Sequence, residues 1–299
     1  DATGSTRLHS ARNTLLTCGG YASNAEMFEQ LEGARDYADV SYPFSQGAGI
    51  TLSLAAGGYV RGGEHHLPLF GGVLASDAYP APMIGSARPW PPERPPWEIY
   101  VNVRGERFLR EDIASHDAHE QALLAQPDER CWVVFDEEIF SRAPQLVRGS
   151  FSGGWTQEDV RFAFDDGMNM FFKADSIEEL AAAAQIDRDG LVATIADYNR
   201  GQADGKDSFG REHLPLPIAK APFYAIQLQS WLLSTYAGVA VDDRLRVIRK
   251  DGSAIENLYA AGELLGAGQF MGRSYCGGML VTPALTFGRL LGQEFLELA

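Results

Sequence analysis

The chain has 299 residues, enough for two domains with a core each, and with 45% hydrophobic and 22% charged residues it reads as an ordinary globule. A formal net charge of -15 argues against nucleic acid and anionic membrane surfaces as partners, because both would repel it. Neither a membrane-spanning apolar run nor the charged and apolar regions of a signal peptide are present, which reads as cytoplasmic, and Cys18, Cys131 and Cys276 are spaced for neither zinc nor a disulfide and are expected as thiols.

The first predicted element is an apolar strand over residues 13–18 that stops at Gly19-Gly20-Tyr21, followed by a helical stretch from Asn24. A second helix runs over 47–58, with Ile50 and Leu54 four apart on one face. The prolines at Tyr79-Pro80-Ala81-Pro82 and across 89–96 are too dense for regular structure and set a boundary near residue 85. From there to about 215, strands over 99–101 and 131–135 mix with helices over 176–184 and 190–199. Ser176 and Glu179 form a capping box, the hydroxyl and carboxylate satisfying amides of the first turn. After Pro222, strands over 223–228 and 238–241 lead to a closing segment in which a short strand ends at Gly262-Glu263. A glycine-rich loop carrying Tyr275 follows, then an apolar helix from Thr282 with Pro283 in its first turn. The pattern divides the chain into 1–85, 86–215 and 216–299, an α/β domain interrupted by an α+β one.

Several stretches carry a resemblance. Thr17-Cys18-Gly19-Gly20-Tyr21 looks like an A-T-G-G-[FY] turn, Val101-Asn102 through Gly105, Arg107, Phe108 and Glu111 is similar to V-N-x-x-G-x-R-F-x-N-E, and Ser234-Thr235-Tyr236-Ala237-Gly238-Val239 to H-T-M-G-G-V. With the closing strand, loop and helix, they resemble the fumarate reductase and succinate dehydrogenase flavoprotein superfamily, nearest its 3-ketosteroid dehydrogenase-like and tricarballylate dehydrogenase-like branches. The resemblance implies an FAD-binding domain interrupted by an α+β capping domain. A G-x-G-x-x-G run is lacking, Gly266-Ala267-Gly268-Gln269-Phe270-Met271-Gly272 missing it by one spacing, and the chain opens on Asp1. It is therefore expected to be the C-terminal part of a longer flavoprotein, its N-terminal nucleotide-binding half missing and counted as a partner.

Roles follow from the resemblance residue by residue. Gly19 and Gly20 let the backbone pass close to the flavin nucleotide, and Gly262 and Glu263 end a strand where the family acid accepts hydrogen bonds from flavin hydroxyls, the alternative being a solvated Glu. Leu280 and Val281 open a helix whose amides face the flavin's polar edge. Tyr275 falls where dicarboxylate-reducing members have a clamping Arg, and its phenol suits a carbonyl oxygen, aided by the Gly278 amide; a packed aromatic with a wet hydroxyl is the other reading. Arg273 remains available to an anion, and Ser234 stands where a carboxylate-binding His is usual. His116 is the candidate for proton exchange, or else a surface His paired with Asp117, and His66 is the substrate-side His of His65-His66-Leu67-Pro68. Arg107 and Glu111 form either part of the family signature or a pair that pins a turn. A third ligand beside the two histidines is lacking, so no metal is expected. The implied activity is an FAD-dependent oxidoreductase forming or reducing a C=C bond beside a carbonyl in a small ketosteroid-like or carboxylic acid substrate, with an unassigned electron donor or acceptor. Two other readings stand beside it, a catalytically incomplete fragment that binds a ligand or regulates, and a flavin hydroxylase-type enzyme, whose sequences lack the motif at 101–108.

Overall fold

The computed structural model describes residues 9–149 and 154–296. They fall into two compact units, one built from residues up to 35, 41–66 and 234 onward, the other from 36–40 and 67–233. The divisions lie at 66/67 and 233/234, where the proline runs had placed them near 85 and 215; those prolines lie inside the second unit.

In the first unit the strand Thr14–Leu16 pairs in parallel with Ala254–Ala260, Leu16 opposite Ala260, and Arg246–Ile248 pairs antiparallel on the other side of Ala254–Ala260. A two-stranded ribbon joins Val60–Arg61 to Gly238–Val239. The helix Ala25–Glu32 starts where the Asn24 side chain accepts from the Met27 amide at 3.0 Å and stops at Gly33, whose φ of +67° ends the turn without strain. Ala48–Ala55 is apolar on all sides, yet it buries only Gly49, Ile50 and Ser53. The closing helix Val281–Leu290 buries none of its residues, and its Leu285 is 71% exposed. An apolar sequence therefore does not place either helix inside this unit.

The second unit is organised by an eight-stranded sheet, ordered Ala38–Asp39, Ala81–Ser86, Leu69–Leu74, Phe223–Trp231, Arg130–Asp136 and Ile99–Val101, with Arg148–Gly149 and Phe171–Ala174 paired on its flanks. All its pairings are antiparallel except that of Ala38–Asp39 with Ala81–Ser86. Phe223–Trp231 is flanked by strands on both sides and is buried at every position. Its buried Gln229 donates to the carbonyls of Asp128 and Glu129 at 2.5 and 3.1 Å. Helices Gln157–Asp165, Ile177–Ala184 and Arg188–Asp204 supply Phe164, Leu180, Leu191 and Tyr198 to the core of the unit. Thr156 and Asp159 make a reciprocal capping box, whereas Ser176 makes only the hydroxyl half of the one expected of it, accepting from the Glu179 amide at 3.2 Å. The hairpin of Leu69–Leu74 and Ala81–Ser86 corrects the reading of 79–82 as irregular. Pro82 sits on the strand's exposed side, where its carbonyl accepts from the Ala75 amide and no proline N–H is needed.

The motif Arg107–Glu111 is a buried structural centre. Arg107 reaches Glu111 at 2.6 Å and Asp207 at 2.5 Å, and Arg211 lies 3.4 Å from Glu111, all four side chains being buried. The described residues contain no helix long and apolar enough to cross a membrane. Cys18 and Cys276 are exposed thiols and Cys131 a buried one.

Candidate cofactor site

Three segments far apart in sequence meet at one carboxylate. Leu16 hands the chain to the turn Gly19-Gly20, the partner strand Ala254–Ala260 hands it to Gly262-Glu263, and the parallel pairing of those strands sets both turns at one end of the sheet. Glu263 accepts from the backbone amides of Gly20 and Thr235, while burial pushes its carboxyl above the ordinary range. Gly20 has no room for a side chain, since a Cβ there would lie 2.3 Å from Thr235 Oγ1 and 2.9 Å from Glu263 Oε1. Thr235 is fully buried, and its Oγ1 has no hydrogen-bond partner among the described residues.

Beside this junction lies a second carboxylate. Glu32, at the end of its helix, accepts from the Tyr21 hydroxyl at 2.8 Å and from the Tyr236 amide at 2.6 Å, and His66 Nδ1 lies 2.9 Å away. Since a carboxylate only accepts, the proton of that contact belongs on Nδ1. Burial and the Glu32 charge push the Tyr21 hydroxyl up, so it stays a donor. It also accepts from the Ala237 amide at 3.1 Å. His66 is thereby buried against Phe28 and Tyr236, with ring centroids 5.5 and 5.9 Å away.

The closing loop is open. Arg273, Tyr275 and Gly278 are exposed, and the Arg273 guanidinium donates to the Glu64 carbonyl at 2.5 Å. Gly277 has open space where a Cβ would be, and Gly278, at a φ of +87°, meets only Thr282 Oγ1 at 3.6 Å. Leu280 and Val281 follow at the start of Val281–Leu290, where the Thr282 amide donates to the Gly278 carbonyl at 2.9 Å and Pro283 has no N–H, so Leu280 and Val281 carry the amides left at the helix start. Ser234 is half-buried next to Thr235.

The family model described as an FAD binding domain matches residues 1–280 of this chain. The chain belongs to that family. Among its relatives, this FAD binding domain chain is 29% identical over 287 residues to a fumarate reductase (cytochrome) of Shewanella frigidimarina, covering 94% of the chain and 44% of the relative. To a 3-oxosteroid 1-dehydrogenase of Mycobacterium tuberculosis it is 27% identical, covering 98% of the chain and 54% of the relative. The open conformation of a flavocytochrome c3 fumarate reductase matches at a TM-score of 0.61 and 26% identity, over 94% of this chain and 45% of that one. The chain thus spans about half the length of these relatives.

The residues fit FAD, the cofactor of the family. An unsatisfied buried hydroxyl on Thr235, an acceptor on Glu263 and glycine turns without side chains are what a sugar chain and a flat ring require. Of the residues expected at the site, Gly19, Gly20, Gly262 and Glu263 are brought together, with Ser234 beside them, and His66 is held by Glu32 next to them. Thr235 and Glu32 join this group in the structure and are not among the residues expected from the sequence. Thr235 lay inside the recognised H-T-M-G-G-V-like stretch and was legible there, but nothing local distinguishes Glu32 from a solvated acid at a helix end.

His116 stands in the second unit, opening the helix His116–Leu124 capped by Ser115. Its ring stacks on Trp90 at 3.5 Å, and burial, then the Arg88 charge, lower its pKa, so it is neutral at neutral pH. Asp117 follows it in the first turn.

Proposed function

We propose that this FAD binding domain chain is part of an FAD-dependent oxidoreductase that forms or reduces a C=C bond beside a carbonyl. When bound, FAD supplies the two-electron exchange, a hydride leaving or arriving at N5. The observation that carries the reading is the convergence of Gly20 and Thr235 on the Glu263 carboxylate, which provides an acceptor and a side-chain-free turn of the kind that binding FAD requires. Relatives over nearly the whole chain bear names of such enzymes.

In this reading Glu263 and the Gly19-Gly20 turn bind the cofactor, and the Leu280 and Val281 amides at the start of Val281–Leu290 stabilise negative charge on it. The Tyr275 hydroxyl donates to the substrate carbonyl, with the Gly278 amide as second donor, and so acidifies the neighbouring carbon. His116, neutral at neutral pH, exchanges the proton of that carbon. Arg273 and Ser234 contact the rest of the substrate, and the buried His66 acts from behind them as a positioning residue. A phenol in place of a guanidinium suits a ketone oxygen or a single acid group better than a dicarboxylate.

The test is dye-linked turnover of the purified flavin-loaded protein with enones and unsaturated acids, in both directions, beside Tyr275→Phe. The reading expects turnover in one direction and a loss of about 100-fold in kcat, with flavin retained, in the variant. A flavin-loaded protein that turns over no such compound, or a Tyr275→Phe variant as active as the parent, would overturn it.

A further inference from the structure

The second unit holds a cavity of about 250 Å³ whose walls include Phe70, Met83, Trp90 and Trp231 and three arginines, Arg88, Arg94 and Arg148. Two of the three are matched. Arg94 pairs with Glu98 at 2.9 Å and donates to the Pro144 carbonyl at 2.8 Å, and Arg148 pairs with Glu93. Arg88 has neither an ion pair nor a hydrogen bond among the described residues; its guanidinium lies 5.9 Å over the Trp90 ring. The Arg88 charge is felt by Glu93, which is paired with Arg148, and by the buried Glu120, whose carboxyl burial pushes up to about 8 so that it is uncharged at neutral pH. One positive charge is therefore left over in a cavity whose walls mix aromatic rings with guanidinium groups, in a chain whose net charge is -15.

We propose that this cavity binds a small planar organic acid, its carboxylate on the Arg88 guanidinium and its flat body against Trp90 and Trp231. A guanidinium presents a planar fork that matches a carboxylate with two parallel bonds. Indole faces favour flat, apolar partners, and the Trp231 ring is fixed by its donation to the Phe70 carbonyl at 3.2 Å. At about 250 Å³ the space lies just below the common span of small-molecule sites, about 300 to 1,000 Å³, which suits one ring or a short unsaturated chain. The cavity lies within the second unit, and its Trp90 wall stacks on His116 at 3.5 Å, so the site adjoins the residue given the proton exchange above, while the binding itself needs no flavin.

Calorimetric titration of the purified protein with benzoate and with benzamide tests it. The two share a body and differ in charge. Benzoate is expected to bind about 10- to 100-fold more tightly than benzamide, and Arg88→Gln to bring benzoate down to the benzamide level while leaving benzamide unchanged. Equal binding of the two probes by the parent protein overturns the proposal without reliance on any variant. So does a folded Arg88→Gln protein that keeps the benzoate preference, or a parent that binds neither probe. The calorimetric readout measures neither flavin content nor turnover, so its failure is distinguishable from failure of the proposed function.

Discussion

Glu263 lies on the backbone of Gly20: a Cβ on that glycine would meet the carboxylate oxygen at 2.9 Å and the Thr235 hydroxyl oxygen at 2.3 Å. Both neighbours are held, Glu263 by two amides and Thr235 by complete burial, so neither yields cheaply. Gly20→Ala is expected to cost about 1 to 3 kcal/mol by overpacking. Gly277→Ala, where nothing lies within 4 Å, is expected to be near neutral. Thermal unfolding of the two variants checks this, and equal midpoints would contradict the tight junction.

The Arg107 cluster gives a second prediction. Arg107→Met leaves Glu111 and Asp207, both buried, without their guanidinium, and the Phe209 ring without the cation 4.7 Å above it. Removing one partner of a buried pair costs about 3 to 5 kcal/mol. Urea denaturation should show a loss of that size, and a loss below about 1 kcal/mol would mean that Arg211 already neutralises the site.

How much of this was legible in the sequence follows from where the deciding interaction lies. Asn24 and the strand ending at Gly262-Glu263 were readable because a cap or a strand end is settled within a few residues. The site glycines and Glu263 were readable through motif resemblance, although their meeting depends on the parallel pairing of Thr14–Leu16 with a strand more than 200 residues away. The hairpin around Pro80 and Pro82 was hidden because proline argues against a strand unless its N–H faces no partner, a property of the neighbouring chain. The unit boundaries were displaced for the same reason: the proline run 89–96 turns back on itself, with Trp90 bridging Arg94. Glu32 and the cavity around Arg88 are assembled from distant segments and leave no local pattern.

A third prediction concerns pH. In the native state, burial pushes Glu120 up to about 8 and His119 down to about 4, against unfolded values near 4.3 and 6.5. As pH rises from about 4.3 to 8, the unfolded chain releases a Glu120 proton that the native state keeps, so Glu120 lowers stability across that window. As pH falls from 6.5 to 4, the unfolded chain gains a His119 proton that the native state refuses, so His119 lowers stability in the opposite direction. The two slopes cancel between about 4.3 and 6.5, and Glu120 alone imposes a decline of about 2 kcal/mol from pH 6.5 to 8. Glu120→Gln should remove that decline in denaturation curves taken at pH 6.5 and 8. An identical decline in parent and variant would show that Glu120 is ionised in the fold.

The proposed role of Glu263 as an acceptor for FAD is tested most directly by the flavin affinity of the purified protein and of Glu263→Ala, followed by quenching of flavin fluorescence. The parent is expected to bind FAD and the variant to bind it about 10- to 100-fold more weakly, with Gly277→Ala close to the parent. FAD bound by a folded Glu263→Ala protein as tightly as by the parent would contradict the account.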